Sequence, residues 1–311
     1  MKSTCKNLFP EHIRTVAVTA PAGAPNAEKL AVSLKLLQSQ VKVKLYLPEH
    51  SVDTVSHTVP DYLAADSNTR LSLLNQAIND PEVDLILCAR GGFGCVHLLE
   101  NVDYDCLRRR NLPVMGYSDI TALHCAMLKY SAGVPIAGSN LIGLENIVND
   151  PLSQQSHYAA LALPDSEFKL PAAPQKLCSV LPETNPATVC AKAYAANLTM
   201  LASLCGTNFM PDFSNMILIL EDVNEPVYKI DRMLSQLKLN NVFKNLAALV
   251  FGQFTCCGEN SPQLDMLLRR IAVEIALPCF DGFQFGHTFP MCAVNSSKKL
   301  LLTANNDYLI I

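Results

Sequence analysis

Apolar and polar positions along this chain follow two alternating periods. Thr15–Thr19 (TVAVT), Val41–Leu47 (VKVKLYL), Leu85–Ala89 (LILCA) and Val114–Tyr117 are short, mostly aliphatic runs of strand length. Between and after them the apolar residues fall at helical spacing. Leu30, Leu34 and Leu37 share one face, Leu71, Leu74 and Ile78 another within Arg70–Ile78, and Ile120, Leu123, Met127 and Leu128 a third. Leu85–Ala89 is continuously apolar, as a strand covered on both faces requires. The first half therefore predicts a parallel sheet flanked by helices.

The pattern lapses between Asp165 and Pro186, a stretch holding Pro171, Pro174, Pro182 and Pro186 just after Pro164. This predicts a linker over 165–186, between a first domain at 1–164 and a second at 187–311. Periodicity then resumes with a strand at Met216–Leu220 (MILIL), a helix from Pro226 and a strand at Leu246–Gly252. A helix over Pro262–Ile275 follows, with Ser261 as cap, Pro262 in the first turn, and Leu264, Leu267, Leu268, Ile271 and Ile275 in phase. The end, LLLTANNDYLII, predicts a hairpin around Asn305-Asn306-Asp307. The fold class is α/β with two domains.

Composition narrows the class. Half of the 311 residues are hydrophobic and 17% are charged, with a net charge of −4. That balance suits a globular enzyme and opposes disorder. The one basic run, Arg108-Arg109-Arg110, reads as a solvated helix end, so no nucleic-acid partner is expected. The twelve cysteines are scattered, and Cys88 and Cys279 sit in apolar stretches where a thiol acts as a small buried hydrophobe. Dispersed cysteine in a chain opening MKSTCKNLFPEHIRTV, without the apolar core of a signal peptide, predicts a reduced cytoplasmic protein. No apolar stretch is long enough to span a bilayer, so no membrane partner is expected.

Three segments could carry chemistry. Gly116-Tyr117-Ser118-Asp119 joins a strand to a helix, where a serine hydroxyl is pushed out at the carboxyl edge of the sheet. The helix N-terminus behind it favours a developing oxyanion. A plain helix N-cap explains the same tetrapeptide, and locally both readings stand. Arg90-Gly91-Gly92-Phe93-Gly94 also ends a strand, and Gly92 N–H could donate to an oxyanion. A flexible turn is the alternative, while the phosphate-loop patterns GxGxxG and GxxxxGK[ST] are absent. Glu221-Asp222-Val223-Asn224-Glu225-Pro226 follows MILIL. An Asn224 cap, Pro226 in the first turn and acids complementing the helix dipole account for Asp222, Asn224 and Glu225. Glu221, nearest the strand, is left as the rigidly held acid.

Of seven histidines, His12, His50 and His57 lie in polar or terminal contexts and His157 in a polar stretch. His97 and His124 lie within helical patterns. His287, in Phe285-Gly286-His287-Thr288-Phe289-Pro290, can project from a loop, although an ordinary loop histidine fits as well. There is no CxxC, HExxH or EF-hand pattern, so no metal is expected. The adjacent Cys256-Cys257 has the wrong spacing to chelate.

Taken together, TVAVTAPAG, DPEVDLILCARGGFGCVHLL, GYSDITALH, NLTMLASLCGT, ILILEDVNEPVYKIDRML and FGHTFP resemble, in family order, the LD-carboxypeptidases, serine peptidases that act on murein tetrapeptide. The resemblance spans nearly the whole chain. It implies an N-terminal sheet domain like that of class I glutamine amidotransferases and a smaller, swivelling-type C-terminal domain. It also implies a Ser–Glu–His triad, carried over as Ser118, Glu221 and His287. The serine would come from the first domain, and the glutamate and histidine from the second. With that mechanism, backbone N–H groups of Gly92 and Asp119 become the oxyanion-hole candidates. The implied reaction needs no cofactor and releases D-alanine from a cytoplasmic murein peptide. The resemblance allows a homodimer.

Departures from the family pattern are Ala195-Ala196 in place of Gly-Gly, Ser139-Asn140 where Gly-Pro-Met is usual, and TAPAG without its serine. None touches the triad. Two other functions fit the same residues. One is a microcin-immunity-type hydrolase of peptidyl or aminoacyl nucleotides, which the lack of tryptophan disfavours. The other is a non-catalytic peptide-binding module, which retention of Ser118, Glu221 and His287 disfavours.

Overall fold

The computed structural model describes residues 7–48, 59–163, 166–170, 178–181, 188–258, 261–303 and 308–310. Most of the expected linker at 165–186, the turn at Asn305-Asn306-Asp307, and His50 and His57 lie outside them. The chain divides into two compact units, Met1–Asn149 and Asp150–Ile311.

In the first unit the alternating pattern becomes β1 (Thr15–Thr19), α1 (Ala27–Gln38), β2 (Lys42–Tyr46), α2 (Ser67–Asn79), β3 (Leu85–Cys88), α3 (Tyr104–Arg110), β4 (Pro113–Gly116), α4 (Ile120–Lys129), β5 (Val134–Ala137) and α5 (Leu144–Asn149). The strands pair in parallel in the order β2-β1-β3-β4-β5. β1 and β3 are buried at every residue, which is why β3 is continuously apolar and β1 carries only its terminal threonines beside aliphatic residues. β2 is the outer strand of this set, and its polar positions are used. Lys42 pairs with Glu82 at 2.7 Å, and Lys44 and Tyr46 both bond Asp80, whose carboxyl they hold down at about 2. Charged side chains on such a strand also discourage edge-to-edge association.

α4 is buried from Ile120 through Met127, so it is a core helix rather than a surface one. His124 lies within it, fully buried, and burial pushes its pKa down to about 3, leaving it neutral.

The second unit holds α6 (Pro151–Leu161), β6 (Phe168–Lys169), β7 (Cys178–Ser179), β8 (Thr188–Asn197), α7 (Leu198–Ser203), β9 (Ile217–Val223), α8 (Val227–Leu239), β10 (Ala248–Thr255), α9 (Pro262–Ile275), β11 (Cys279–Asp281), β12 (Val294–Asn295), β13 (Lys299–Thr303) and β14 (Tyr308–Ile310). Its main sheet has the order β6-β14-β13-β8-β9-β10-β11-β7. The centre, β8 to β11, is parallel and the flanking pairs are antiparallel. α8 buries Ile230, Met233, Leu234 and Leu237, and α9 buries Leu264, Leu267, Leu268 and Ile271, the stripes expected of helices on one sheet face. Ser261 caps α9, accepting from Gln263 N–H at 3.3 Å. Such a cap contributes about 1 kcal/mol.

The division into compact units falls just before α6. The reason lies far along the chain. Met291 N–H donates to Ser153 Oγ (2.8 Å), Asn295 Nδ2 to Ala160 O (2.7 Å) and Lys298 Nζ to Ala159 O (2.9 Å) and Leu163 O (3.1 Å). Lys298 is buried, and burial lowers its pKa to about 8. His157 in α6 is likewise buried, at a pKa of about 4, and is not the polar-surface residue its neighbours suggested.

Candidate active site

Ser118 occupies the turn between β4 and α4 with φ 64°, a left-handed conformation rare for a residue with a side chain. The turn closes because Gly116 has no Cβ: one would lie 2.9 Å from Asn140 Oδ1, 2.9 Å from Ile120 Cγ1 and 3.1 Å from Cys88 Cβ. Tyr117 N–H donates to Asn140 Oδ1 at 3.3 Å, so one of the two residues that depart from the family pattern braces the serine turn. The plain N-cap alternative does not hold. Asp119 is the residue flanking α4, but its carboxylate makes no cap bond. It accepts instead from Cys95 N–H at 2.8 Å. Asp119 is fully buried, and that burial raises its pKa.

The glycine loop after β3 packs directly on this turn. A Cβ on Gly91 would sit 2.9 Å from Ser118 Cβ and 3.2 Å from its Oγ. Gly91 O accepts from Gly23 N–H at 3.0 Å, and Gly92 takes φ 102°. Ser118, Gly92 and Asp119 thus share one edge of the first unit's sheet, and backbone sterics set their arrangement.

In the second unit, Glu221 and His287 meet. His287 Nδ1 lies 2.8 Å from Glu221 Oε2. A carboxylate there holds the ring proton on Nδ1 and so places the ring lone pair on Nε2. Glu221 is fully buried, and His287 Nδ1 is a hydrogen-bond partner of its carboxylate. Burial opposes charge on both groups. For the imidazole, the hydrogen bond and charge of Glu221, with a further contribution from Asp222, outweigh it, so His287 stays above the ordinary histidine value. Glu221 itself is raised by burial, against the opposing pull of His287 and Asn197.

Two features bring the pair together. Strand β9 runs on through Glu221 and Asp222 to Val223, beyond the expected end at Leu220. Opposite Glu221, β10 bulges: Phe251 pairs with Leu220 and Phe254 with Asp222, leaving Gly252 and Gln253 in the gap. A Cβ on Gly252 would sit 2.6 Å from Phe285 O, and Gln253 N–H donates to that same oxygen at 2.8 Å. The bulge therefore draws the 283–287 loop down onto Glu221, the re-aiming role bulges have beside functional groups.

Asp222, Asn224 and Pro226 differ from the expected capping arrangement. Asp222 is buried, accepting from Thr199 Oγ1 (2.7 Å) and Thr199 N–H (3.0 Å). Asn224 takes φ 58° and donates its N–H to Thr255 O, and Pro226 precedes α8 with no side-chain cap. Glu225 pairs with Lys229 at 3.2 Å. Sequence reasoning missed Asn197. Its Nδ2 donates to Glu221 Oε1 and Asp222 Oδ1, both at 3.1 Å, while its Oδ1 accepts from Met200 N–H at 3.0 Å. The parallel register sets Asn197 opposite Glu221. Its only signal in the sequence was an N-cap residue before α7.

Among the described residues no group of three or more His, Cys, Asp or Glu is placed to hold a metal, and no helix is long and apolar enough to cross a membrane.

Comparisons with known proteins identify the family. Residues 16–138 match the LD-carboxypeptidase N-terminal domain and residues 191–300 the LD-carboxypeptidase C-terminal domain. The protein named probable murein peptide carboxypeptidase of Bacillus subtilis is 31% identical, over 96% of this chain and 91% of its own. The murein tetrapeptide carboxypeptidase of Pseudomonas aeruginosa is also 31% identical, over 93% of each chain. The microcin C7 self-immunity protein MccF of Escherichia coli is 26% identical over 80% of each. Among solved structures, muramoyltetrapeptide carboxypeptidase from Oxalobacter formigenes superposes with a TM-score of 0.79 at 24% identity, over 95% of this chain and 97% of that one. Two family domains in order, and relatives of like length, lead to one conclusion: the chain belongs to the LD-carboxypeptidase family.

Proposed function

We propose that this LD-carboxypeptidase releases a C-terminal D-alanine from cytoplasmic murein tetrapeptide by serine catalysis. Ser118 is the nucleophile, His287 its general base and then the acid for the leaving amine, and Glu221 the carboxylate that orients the imidazole and stabilises its charged form. Backbone N–H groups of Gly92 and Asp119 receive the oxyanion. Water, deprotonated by His287, then cleaves the acyl-enzyme and returns Ser118 to its hydroxyl form. The observation that carries this reading is the pairing of buried Glu221 with half-buried His287 at 2.8 Å. A carboxylate on Nδ1 is what a histidine base requires, and little else repays burying that charge. The left-handed Ser118 supports the nucleophile.

The boundaries 1–164, 165–186 and 187–311 remain a proposal for the functional domains. So do the likeness of the first unit to class I glutamine amidotransferases, the swivelling character of the second, and a homodimeric assembly.

The test is direct. Purified protein incubated with murein tetrapeptide should release one free D-alanine per peptide, and prior dialysis against a chelator should not change the rate. Hydrolysis confined to an aminoacyl sulfamoyl nucleotide would move the enzyme to the immunity-type branch. No hydrolysis of either, with peptide binding intact, would leave a binding module.

A further inference from the structure

Arg70 is the largest fully buried side chain among the described residues, with 1% of its surface exposed. Its described hydrogen bonds go to no carboxylate. Nε donates to Ala65 O (2.8 Å), Nη1 to Pro21 O and to Gly94 O (2.9 Å), and Nη2 to His97 Nδ1 (3.2 Å). Burying a guanidinium on such partners is costly relative to an apolar side chain of similar size. What the guanidinium offers in return is a rigid fork of donors that can hold several carbonyls in fixed relation.

The carbonyls it holds belong to three loops, and those loops interlock. Ala64 N–H donates to Ala22 O at 3.0 Å, and Gly23 N–H to Gly91 O at 3.0 Å. Gly91 in turn packs against Ser118. One peptide unit is gripped from both sides. The Gly94 carbonyl accepts from Arg70, and the N–H of the same unit, on Cys95, donates to the Asp119 carboxylate at 2.8 Å. Both are charge-assisted bonds, the stronger kind, and together they fix the plane of that peptide. Gly94, at φ 130°, fits here because it has no Cβ: one would lie 2.7 Å from Leu63 Cδ2 and 2.9 Å from Arg70 Nη1.

We infer that Arg70 and the Asp119 side chain are positioning residues that clamp the Gly94–Cys95 peptide and thereby preset the Gly91–Gly92 backbone against Ser118 for oxyanion binding. The inference rests on the reading of Ser118 as nucleophile. It assigns the Asp119 carboxylate a role separate from that of its backbone N–H.

The experiment compares Arg70→Met, Arg70→Lys and Gly94→Ala with wild type. The control is Arg110→Met, because Arg110 uses the same chemistry at the opposite edge of the sheet, donating to Ile78 O and Val83 O. Three quantities are measured on folded protein below its melting temperature: kcat and KM on murein tetrapeptide, the rate of Ser118 labelling by a fluorophosphonate, and peptide affinity in a Ser118→Ala background. The clamp predicts that kcat and labelling fall together by about 10²-fold, the scale of a displaced oxyanion donor, while KM and affinity stay within about threefold. Arg70→Lys should recover only part of this, because a point charge cannot replace the fork. Arg110→Met should melt earlier and label at the wild-type rate. If Arg70→Met does not fold, Gly94→Ala, which dislodges the same peptide, carries the test. Labelling within about threefold of wild type in folded Arg70→Lys and Gly94→Ala would overturn the inference, as would equal slowing in Arg110→Met. Wild-type protein that takes no label at Ser118 would overturn the nucleophile reading itself, and the clamp with it.

Discussion

The two units hold their chemical groups by different means. In the first, Ser118 is placed by backbone and sterics: a left-handed turn, Gly116 and Gly91 with no space for a Cβ, and Asn140 bracing Tyr117 N–H. In the second, His287 is placed by charge and hydrogen bonds: a fully buried Glu221 on a strand, Asn197 on its other oxygen and Asp222 behind. Under the proposed serine mechanism, the difference follows from what each group must do. A nucleophile must be exposed and aimed, which geometry achieves. A base must be exposed, aimed and tuned in proton affinity, which needs a partner charge shielded from water. The first arrangement should therefore be fragile to added volume, and the second to lost charge.

Five substitutions break or sharpen this contrast, in order of expected effect. Ser118→Ala should lower kcat by about 10⁴-fold or more with no loss of melting temperature, because the methyl fits the same turn. Undiminished D-alanine release by the folded variant would remove Ser118 from the mechanism. Glu221→Gln should cost about 10³–10⁴-fold. It should also shift the acid limb of the pH–rate profile. The base works when neutral, so wild-type activity rises with pH through a His287 pKa held above the ordinary value by Glu221. Without that charge burial is left, which lowers the pKa, so the limb should move to lower pH. A limb that stays in place would detach His287 from the profile.

Gly91→Ala tests the first unit in its own terms. The added methyl meets Ser118 Cβ at 2.9 Å, so the rate should fall about 10²-fold, with a stability loss of about 1–3 kcal/mol by thermal melt. Full activity would show that the loop yields and the serine is not sterically set. Asn197→Ala removes a donor shared by two buried acids. A loss of about 1–3 kcal/mol is expected, with a rate reduction of about tenfold that Asn197→Asp does not repair. Glu225→Gln is the smallest. It removes an i,i+4 pair with Lys229 worth about 0.3–0.5 kcal/mol and should leave the rate unchanged, whereas a rate loss rivalling that of Glu221→Gln would reverse the assignment of the two acids.

Much of this protein was legible before any coordinates. The spans Thr15–Thr19 and Pro262–Ile275 were read to the residue, because strand β1 is a short β-rich run buried throughout and α9 carries its own cap, proline and stripe. The pairing of His287 with Glu221 was legible only through family resemblance, since 66 residues separate them and no periodicity links them. Where local reading failed, a distant partner had changed the meaning of a residue. Asp222 resembled a dipole-complementing acid until Thr199 and Asn197 enclosed it, and β9 was cut short because acids end strands only when nothing inside the protein receives them. Arg70 entered the sequence reading only as the first residue of the helical span Arg70–Ile78, although its partners lie as many as 49 residues away.

By itself the sequence determined the alternation of strands and helices, the parallel core of the first unit and the residue types able to perform acyl transfer, because these depend on local periodicity and turn chemistry. Tertiary structure alone decided that α6 joins the second unit, that Ser118 is held in a left-handed turn against Gly91, and that a bulge in β10 lowers His287 onto Glu221. Each of these depends on which distant groups fill a space or satisfy a buried charge, and a one-dimensional pattern carries no record of that.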